Sequence, residues 1–211
     1  MLMLFRWLMT LFASFLMAAG AAAETRGGTM LVLGDSLSAE YGIERGSGWV
    51  SLLEPRIRDT FPGVQIKNAS ISGDTTSGGL TRLPDALLQH DPAVVLIELG
   101  ANDALRGLSL QATRENLARM ITLSRESGAS VILVGMQIPP NYGTRYSRQF
   151  RELFPELAQE HGVDLVPFLL EGMASDSSLF QADGIHPNEA AQPLIADNVW
   201  PVLQSALERL Q

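Results

Sequence analysis

The stretch MLVLGDSLS, residues 30–38, passes from an apolar run directly into a turn that contains glycine. The stretch VVLIELGAND, residues 94–103, follows the same plan. Near-continuous runs of Val, Ile and Leu are typical of parallel strands that are covered by helices on both faces. The runs that we predict to be strands of this kind are Met30–Leu33, Val64–Asn68, Val94–Leu99, Val131–Met136 and Val163–Val166.

Amphipathic segments separate these apolar runs and predict helices. In the third segment Leu117, Met120 and Ile121 recur at helical spacing, and Gly128 provides a stop signal. Strands that alternate with helices through short connections form right-handed βαβ units. We therefore expect an α/β fold, a doubly wound parallel sheet between two helical layers. The predicted helices are Gly48–Thr60, Gly79–Gln89, Leu110–Ser127, Ser147–His161 and Asn188–Leu210.

The first residues have the pattern of a secretory signal peptide. One positive charge, Arg6, is followed by an apolar run over residues 7–17 and by an alanine-rich end before Glu24. A transmembrane anchor is the alternative, but the run is shorter than the roughly 20 residues that span a bilayer. We predict a cleaved signal peptide at 1–23 and, since no linker divides the rest, one domain at 24–211.

Composition excludes several classes of function. The net charge is −8, and no cluster of Lys and Arg provides the surface that nucleic acids need. The chain has no cysteine, so it contains neither disulfides nor a site for lipid acylation. It has no pair of histidines at ligand spacing and no glycine-rich phosphate loop. We therefore predict that this chain uses no metal and no cofactor.

Ser36 is the candidate nucleophile. It follows Gly34 and Asp35 at the end of the first predicted strand, and glycine there allows a tight turn that exposes the hydroxyl. In open parallel sheets, ligands bind at the carboxyl ends of the strands. The alternative is a serine that caps a helix. The Gly-x-Ser-x-Gly elbow of α/β-hydrolases is absent because position 38 is serine, so Ser36 alone leaves both interpretations open.

A nucleophilic serine needs a base, and the chain has only three histidines. His90 and His161 end helical segments, where a histidine interacts favourably with the helix dipole. His186 lies instead in a loop before the last predicted helix, so elimination selects it. Asp183, three residues earlier, can accept the Nδ1 proton and leave Nε2 to receive the serine proton. A capping histidine and an aspartate in an Asx-turn are the alternatives.

Acyl transfer also needs donors for the oxyanion. Gly73 offers an unobstructed backbone N–H and Asn102 a side-chain amide, and the Ser36 N–H would be a third donor. Both segments are also good turn sequences, which is the alternative. Each follows a predicted strand next to the strand that Ser36 follows. The three segments are therefore expected to meet at one edge of the sheet.

Together, these segments resemble the SGNH (GDSL) hydrolase superfamily, named for its Ser, Gly, Asn and His. The four residues match as Ser36, Gly73, Asn102 and His186, with Asp183 at the position of the triad acid. The resemblance is most detailed to the periplasmic multifunctional thioesterase/protease/lysophospholipase (arylesterase) branch of Gram-negative bacteria. The stretches that carry it are Gly34–Tyr41, Asn68–Leu80, Gly100–Gly107, Met136–Tyr146 and Asp183–Asp197.

This resemblance implies a flavodoxin-like sandwich with five parallel strands and a periplasmic serine hydrolase. Its substrates would be aryl and alkyl esters, acyl thioesters and lysophospholipids. We expect no nucleic-acid partner and no stable membrane anchor, and a monomer is the default expectation. A carbohydrate O-acetyl esterase and a non-catalytic binding module are the alternatives. The residues expected to contact substrate are Asp74, Thr75, Leu105, Leu108, Ile138, Pro139 and Tyr142. For the apolar residues among them, ordinary packing in the core is the alternative.

Overall fold

A computed structural model describes residues 28–211, and the predicted signal peptide lies outside them. Five parallel strands form one sheet in the order β2-β1-β3-β4-β5. All five predicted strands are present, and their ends differ from the prediction by at most two residues. The strands are β1 (Thr29–Gly34), β2 (Gln65–Asn68), β3 (Pro92–Glu98), β4 (Ser130–Val134) and β5 (Asp164–Val166).

Helices cover both faces of this sheet. All five predicted helices are present, and a short sixth, α3, was not predicted. The helices are α1 (Trp49–Thr60), α2 (Thr76–His90), α3 (Ala101–Leu105), α4 (Leu110–Glu126), α5 (Thr144–His161) and α6 (Gln192–Glu208). Helix α1 packs against α6, while α4 packs against both α2 and α5. The predicted three-layer α/β/α fold is confirmed, and so are the helix-end positions of His90 and His161.

The start of α2 differs from the prediction for a physical reason. The predicted helix starts at Gly79, although two adjacent glycines, Gly78 and Gly79, disfavour helix formation. The helix begins at Thr76 because the Thr75 side chain accepts a hydrogen bond from the Gly78 N–H. A Cβ on Gly79 would lie 2.3 Å from the Leu99 side chain. Glycine here allows α2 to approach the sheet closely.

The last helix also begins later than predicted. Asn188 does not open α6 directly, since its side chain accepts a hydrogen bond from Ala190 N–H and caps a single 3₁₀ turn over Glu189–Ala191. Helix α6 then starts at Gln192. The short helix α3 has only five residues, too few to show a helical periodicity in the sequence.

The hydrophobic core lies on both faces of the three central strands, β1, β3 and β4, whose apolar side chains are almost fully buried. On the helices, the largest side chains without solvent exposure are Trp49, Phe150 and Phe154. Phe150 and Phe154 meet edge to face, with ring centroids 5.2 Å apart. Within residues 28–211, no helix has both the length and the apolar composition needed to cross a membrane.

The strand register decides which loops meet at the carboxyl edge of the sheet. Val32 of β1 pairs with Asn68 of β2, and Gly34 pairs with Glu98 of β3. The segments that follow these three strands leave the sheet side by side. Residues that are distant in the sequence are therefore brought to one place.

We expect Leu96→Ala to lower the free energy of unfolding by about 2–5 kcal/mol, because truncation leaves a cavity around a fully buried side chain of β3. Leu88→Ala is the matched control, since Leu88 is 87% exposed on α2, and it should change stability by less than about 0.5 kcal/mol. Urea unfolding followed by circular dichroism measures both variants. Equal losses would contradict the assignment of Leu96 to the core.

Candidate active site

Ser36, His186 and Asp183 form a continuous chain of hydrogen bonds. The Ser36 Oγ lies 3.0 Å from His186 Nε2, although the two residues are 150 positions apart. His186 Nδ1 lies 2.6 Å from the Asp183 Oδ2. Both distances are within hydrogen-bonding range. The structure thus brings together the three residues that the sequence selected as nucleophile, base and orienting acid.

The loop that contains Asp183 and His186 is organised by the aspartate itself. Its Oδ1 accepts hydrogen bonds from the backbone N–H groups of Ile185, at 2.9 Å, and His186, at 3.0 Å. The His186 N–H, together with the other hydrogen bonds, lowers the pKa of Asp183 to about 2. The carboxylate is therefore ionised at neutral pH. It favours the tautomer that carries hydrogen on Nδ1 and leaves Nε2 facing Ser36.

Tight turns carry Ser36. The backbone N–H groups of Ser38 and Ala39 both bond to the Asp35 carbonyl, at 3.3 and 3.0 Å. A Cβ on Gly34 would lie 2.7 Å from Ser38 Oγ and 2.9 Å from Glu98 Oε2, so only glycine fits before the turn. In the described chain no helix starts between Ser36 and Trp49. The capping interpretation of Ser36 therefore has no helix to act on.

Two of the candidate oxyanion donors are backbone N–H groups. Within residues 28–211, neither the Ser36 nor the Gly73 N–H donates a hydrogen bond to a protein acceptor. Gly73 has a φ of +78°, a conformation that L side chains rarely adopt. Its carbonyl accepts a hydrogen bond from Arg106 Nη2 at 2.7 Å. This bond holds the peptide group between Gly73 and Asp74, which is next to the peptide group that carries the candidate donor N–H.

Asn102 lies in α3, directly after β3. Its Nδ2 donates a hydrogen bond to Asp35 Oδ2 at 2.9 Å, which leaves the second Nδ2 hydrogen free for a ligand. The next residue, Asp103, is buried and accepts hydrogen bonds from the Thr76 N–H, at 2.9 Å, and from the Thr76 hydroxyl, at 2.5 Å. This short helix is thereby tied to the start of α2. The sequence pattern predicts Asn102 as a donor but does not predict the two aspartates, Asp35 and Asp103, that hold it in place.

Tyr41 contacts the candidate base. Its ring centroid lies 4.5 Å from that of His186, with the planes tilted by 43°, and half of the side chain is exposed. Its carbonyl accepts a hydrogen bond from Gln181 Nε2 at 2.8 Å, which joins the two loops. Nothing in the local sequence pattern distinguished this tyrosine from other surface aromatic residues.

A cavity of about 650 Å³ opens beside Ser36, Asn102 and His186. Its walls are largely apolar. Four of the predicted substrate contacts line it: Leu105, Ile138, Pro139 and Tyr142. Further apolar lining residues, which the sequence did not single out because they come from separate loops, are Leu37, Met136, Phe168, Leu170, Phe180 and Ile185.

Three predicted substrate contacts lie outside this cavity. The Asp74 carboxylate is paired with Arg82 Nε at 2.8 Å. Thr75 uses its hydroxyl to cap α2. Leu108 follows α3 on the surface, 44% exposed, and its carbonyl accepts a hydrogen bond from the Tyr146 hydroxyl. Each side chain or segment therefore has a local structural role, and the cavity walls come from other residues.

A pair of buried carboxyl groups lies behind the nucleophile. Asp35 is 1% exposed and Glu98 is fully buried. Burial raises the pKa of Asp35 to about 6, although hydrogen bonds from Leu37 and Asn102 lower it. Burial also raises the pKa of Glu98 well above its usual range, and the nearby Asp35 charge adds to this effect. A glutamate inside the apolar run VVLIELG was the sequence signal for this pair, and it was missed.

The arrangement can support acyl transfer chemically. It combines a serine, a base in contact with it, an ionised acid that orients the base, and two candidate oxyanion donors, Ser36 and Asn102, that line the cavity. Among residues 28–211, no group of three or more His, Asp or Glu side chains is placed to hold a metal ion.

Residues 32–193 match the model of the GDSL-like Lipase/Acylhydrolase family. The chain is 47% identical over 195 residues to Esterase TesA of Pseudomonas aeruginosa, across 92% of this chain and 95% of that protein. It is 43% identical over 201 residues to Thioesterase 1/protease 1/lysophospholipase L1 of Escherichia coli (strain K12), across 95% and 93% of the two chains.

Solved structures give the same result. The crystal structure of the psychrotrophic esterase EstA from Pseudoalteromonas sp., inhibited by monoethylphosphonate, is similar with a TM-score of 0.81 and 41% identity. The similarity covers 86% of this chain and 99% of that chain. With a family match over most of its length and relatives above 40% identity, the chain belongs to the GDSL-like Lipase/Acylhydrolase family.

Proposed function

We propose that this chain is a serine esterase and thioesterase that hydrolyses carboxylic esters through an acyl-enzyme. The observation that carries the proposal is the hydrogen-bonded chain from Ser36 through His186 to Asp183, placed at the mouth of an apolar cavity. The names of its relatives, an esterase and a thioesterase/protease/lysophospholipase, support this class of reaction.

In the first half of the reaction, Ser36 Oγ attacks the carbonyl carbon of the substrate. Its proton moves to His186 Nε2, and Asp183 stabilises the imidazolium that forms. The Ser36 N–H, the Gly73 N–H and the free Asn102 Nδ2 hydrogen donate to the oxyanion. His186 then protonates the leaving alcohol or thiol as its bond to the carbonyl carbon breaks. The acyl group stays on Ser36 as an ester.

In the second half, water takes the place of the nucleophile. His186 removes a proton from the water, which attacks the acyl carbon, and the same three donors stabilise the second oxyanion. The proton returns to Ser36 Oγ as the carboxylic acid leaves. A protonated imidazole cannot act as the base in either half. Activity should therefore fall towards acid pH.

The cavity indicates which esters fit. Its volume of about 650 Å³ and its apolar walls suit a hydrocarbon chain or an aromatic ring. Burial of a chain gains about 0.8 kcal/mol per CH₂ group, which favours alkyl and aryl esters, acyl thioesters and lysophospholipids over acetyl esters. A carbohydrate O-acetyl esterase would not need these walls.

The location and organisation of the protein complete the proposal. Residues 1–23 act as a cleaved signal peptide, and 24–211 form one hydrolase domain that works in the periplasm as a monomer. The charge and composition pattern of the first residues supports this export route. Its partners are small-molecule acyl substrates, with no nucleic acid and no stable membrane anchor.

The proposal is tested with p-nitrophenyl esters from acetate to palmitate. We expect medium or long chains to give the highest kcat/KM, and Ser36→Ala to lower it by roughly 10⁴-fold or more. Ser205→Ala, on the exposed face of α6, is the control and should match the unmodified enzyme. Activity on acetate alone would favour the sugar deacetylase. Activity that survives Ser36→Ala, or a folded protein inert to serine-directed organophosphates, would refute the mechanism.

Asp183→Asn should lower kcat by about 10²- to 10⁴-fold, because a neutral amide neither selects the required tautomer nor stabilises the imidazolium. Asp176→Asn is the matched control. Asp176 is also exposed and also accepts a backbone N–H two residues ahead, but it does not contact His186. Steady-state kinetics at pH 8 compares them. Similar losses in both variants would indicate a general effect of loop structure.

Gly73→Ala should lower kcat by about 10²-fold, since a φ of +78° is strained for alanine and the donor N–H would shift. The nearest atom to the added Cβ is 3.6 Å away, so steric overlap does not explain a loss. Gly128→Ala is the control, with a φ of +93° after α4 and no atom within 4 Å. It should lose stability but keep its kcat. Unchanged kcat in Gly73→Ala would exclude this N–H as a donor.

A further inference from the structure

We propose that Glu98 is a neutral carboxylic acid that shares one proton with Asp35 and positions the nucleophile turn and Asn102 for catalysis. The inference rests on the proposed function, because it assigns a role in the same reaction. Glu98 touches no reacting atom and is therefore a positioning residue.

Glu98 holds the nucleophile turn from both sides. It is the last residue of β3 and pairs in register with Gly34. Its Oε2 accepts a hydrogen bond from the Ser38 hydroxyl at 2.7 Å and one from the Asp35 N–H at 3.3 Å. Ser36 lies between these two anchored residues. The position of its Oγ thus depends on the Glu98 side chain.

The other oxygen of Glu98 indicates its protonation state. Oε1 is buried and has no hydrogen-bond partner within the described chain. An ionised carboxylate would leave this buried acceptor unsatisfied, which is costly. A proton makes the carboxyl group a donor. A hydrogen bond with the Asp35 side chain is among the causes that raise the pKa of Glu98, so Asp35 is the acceptor for this proton. One proton between the two groups therefore satisfies both.

Asp35 transmits this arrangement to the oxyanion donors. Its Oδ1 accepts the Leu37 N–H at 3.1 Å, and its Oδ2 accepts the Asn102 Nδ2 hydrogen at 2.9 Å. An ionised carboxylate only accepts hydrogen bonds, so it requires the nitrogen side of the Asn102 amide to face it. The second Nδ2 hydrogen is then presented to the ligand. A proton on Asp35 instead of Glu98 would weaken this selection.

The surrounding charges favour a single shared proton. Two buried carboxyl groups in contact cannot both ionise cheaply. Burial and the Asp35 charge raise the pKa of Glu98. Burial also raises the pKa of Asp35, the His186 charge lowers it, and the Asp74 charge raises it. Arg82 donates to the Gly34 carbonyl at 3.2 Å but is already paired with Asp74. Within residues 28–211, no Lys, Arg or His side chain forms an ion pair with Glu98.

The test compares Glu98→Gln with Glu98→Leu. Gln keeps a neutral donor towards Asp35 and an acceptor for Ser38 and the Asp35 N–H, whereas Leu keeps neither. At pH 7 we expect Glu98→Gln to retain kcat/KM within about threefold. Glu98→Leu should lower kcat by about 10²-fold, with KM changed less than threefold, because misplaced donors act on the transition state.

The pH profile separates this role from a purely structural one. The unmodified enzyme should lose kcat at alkaline pH as Glu98 ionises, and Glu98→Gln should lack this loss. Glu54→Gln, an exposed glutamate on α1, should keep it. If circular dichroism shows that Glu98→Leu is unfolded, the pH profiles of the unmodified enzyme, Glu98→Gln and Glu54→Gln still test the inference. An alkaline loss retained in Glu98→Gln, or a Gln variant with a 10²-fold loss at pH 7, would overturn the inference.

Infrared spectroscopy gives a readout that does not depend on activity. At pH 7 the unmodified protein should show the carbonyl band of a buried neutral carboxylic acid, and Glu98→Gln should lack it. Absence of the band would overturn the shared proton even if the enzyme is active. A protein that shows the band but hydrolyses no ester would instead overturn the proposed function.

Discussion

The parallel pairing of β1 between β2 and β3 is the constraint on which the rest of the site depends. It aligns the carboxyl ends of the three strands, with Val32 opposite Asn68 and Gly34 opposite Glu98. Ser36, Gly73 and Asn102 follow these ends, so their distance in the sequence does not separate them in space. A strand shifted by one residue would reverse the faces of its side chains and move its turn away from the others.

The base reaches this edge by a different route. The loop before α6 is fastened by the hydrogen bond from Gln181 N–H to the His186 carbonyl, at 2.7 Å, and by the bridge between Phe180 and Pro187. Asp183 then folds back on the N–H groups of its own loop. The acid–base pair is thus built locally and docked as a unit against Ser36. In the hydrogen-bonded chain of the triad, the distance from Nε2 to Oγ is the one that depends on that docking.

Local sequence patterns were sufficient for the five strands, for every helix except the five-residue α3, and for Ser36, Asp183 and His186, which the fold brings together. Apolar runs and helical periodicity are short-range signals, so the elements were predicted with small errors at their ends. Two of the errors occurred where a capping side chain decides where a helix starts: Thr75 caps α2, and Asn188 caps the 3₁₀ turn before α6. The cavity walls were only partly predicted, since an apolar loop residue has the same pattern whether it lines a cavity or packs in the core.

By itself, the sequence determined the α/β class, the order of strands and helices, and which serine, histidine and aspartate were candidates for one site. These follow from short-range properties: side-chain periodicity, turn chemistry and the small number of histidines. The tertiary structure alone decided that Glu98 and Asp35 lie together behind Ser36, that Tyr41 covers His186, and that Asp74 is paired with Arg82 outside the cavity. These contacts join residues from different elements, and burial changes the charge of a carboxyl group only once the chain has folded around it.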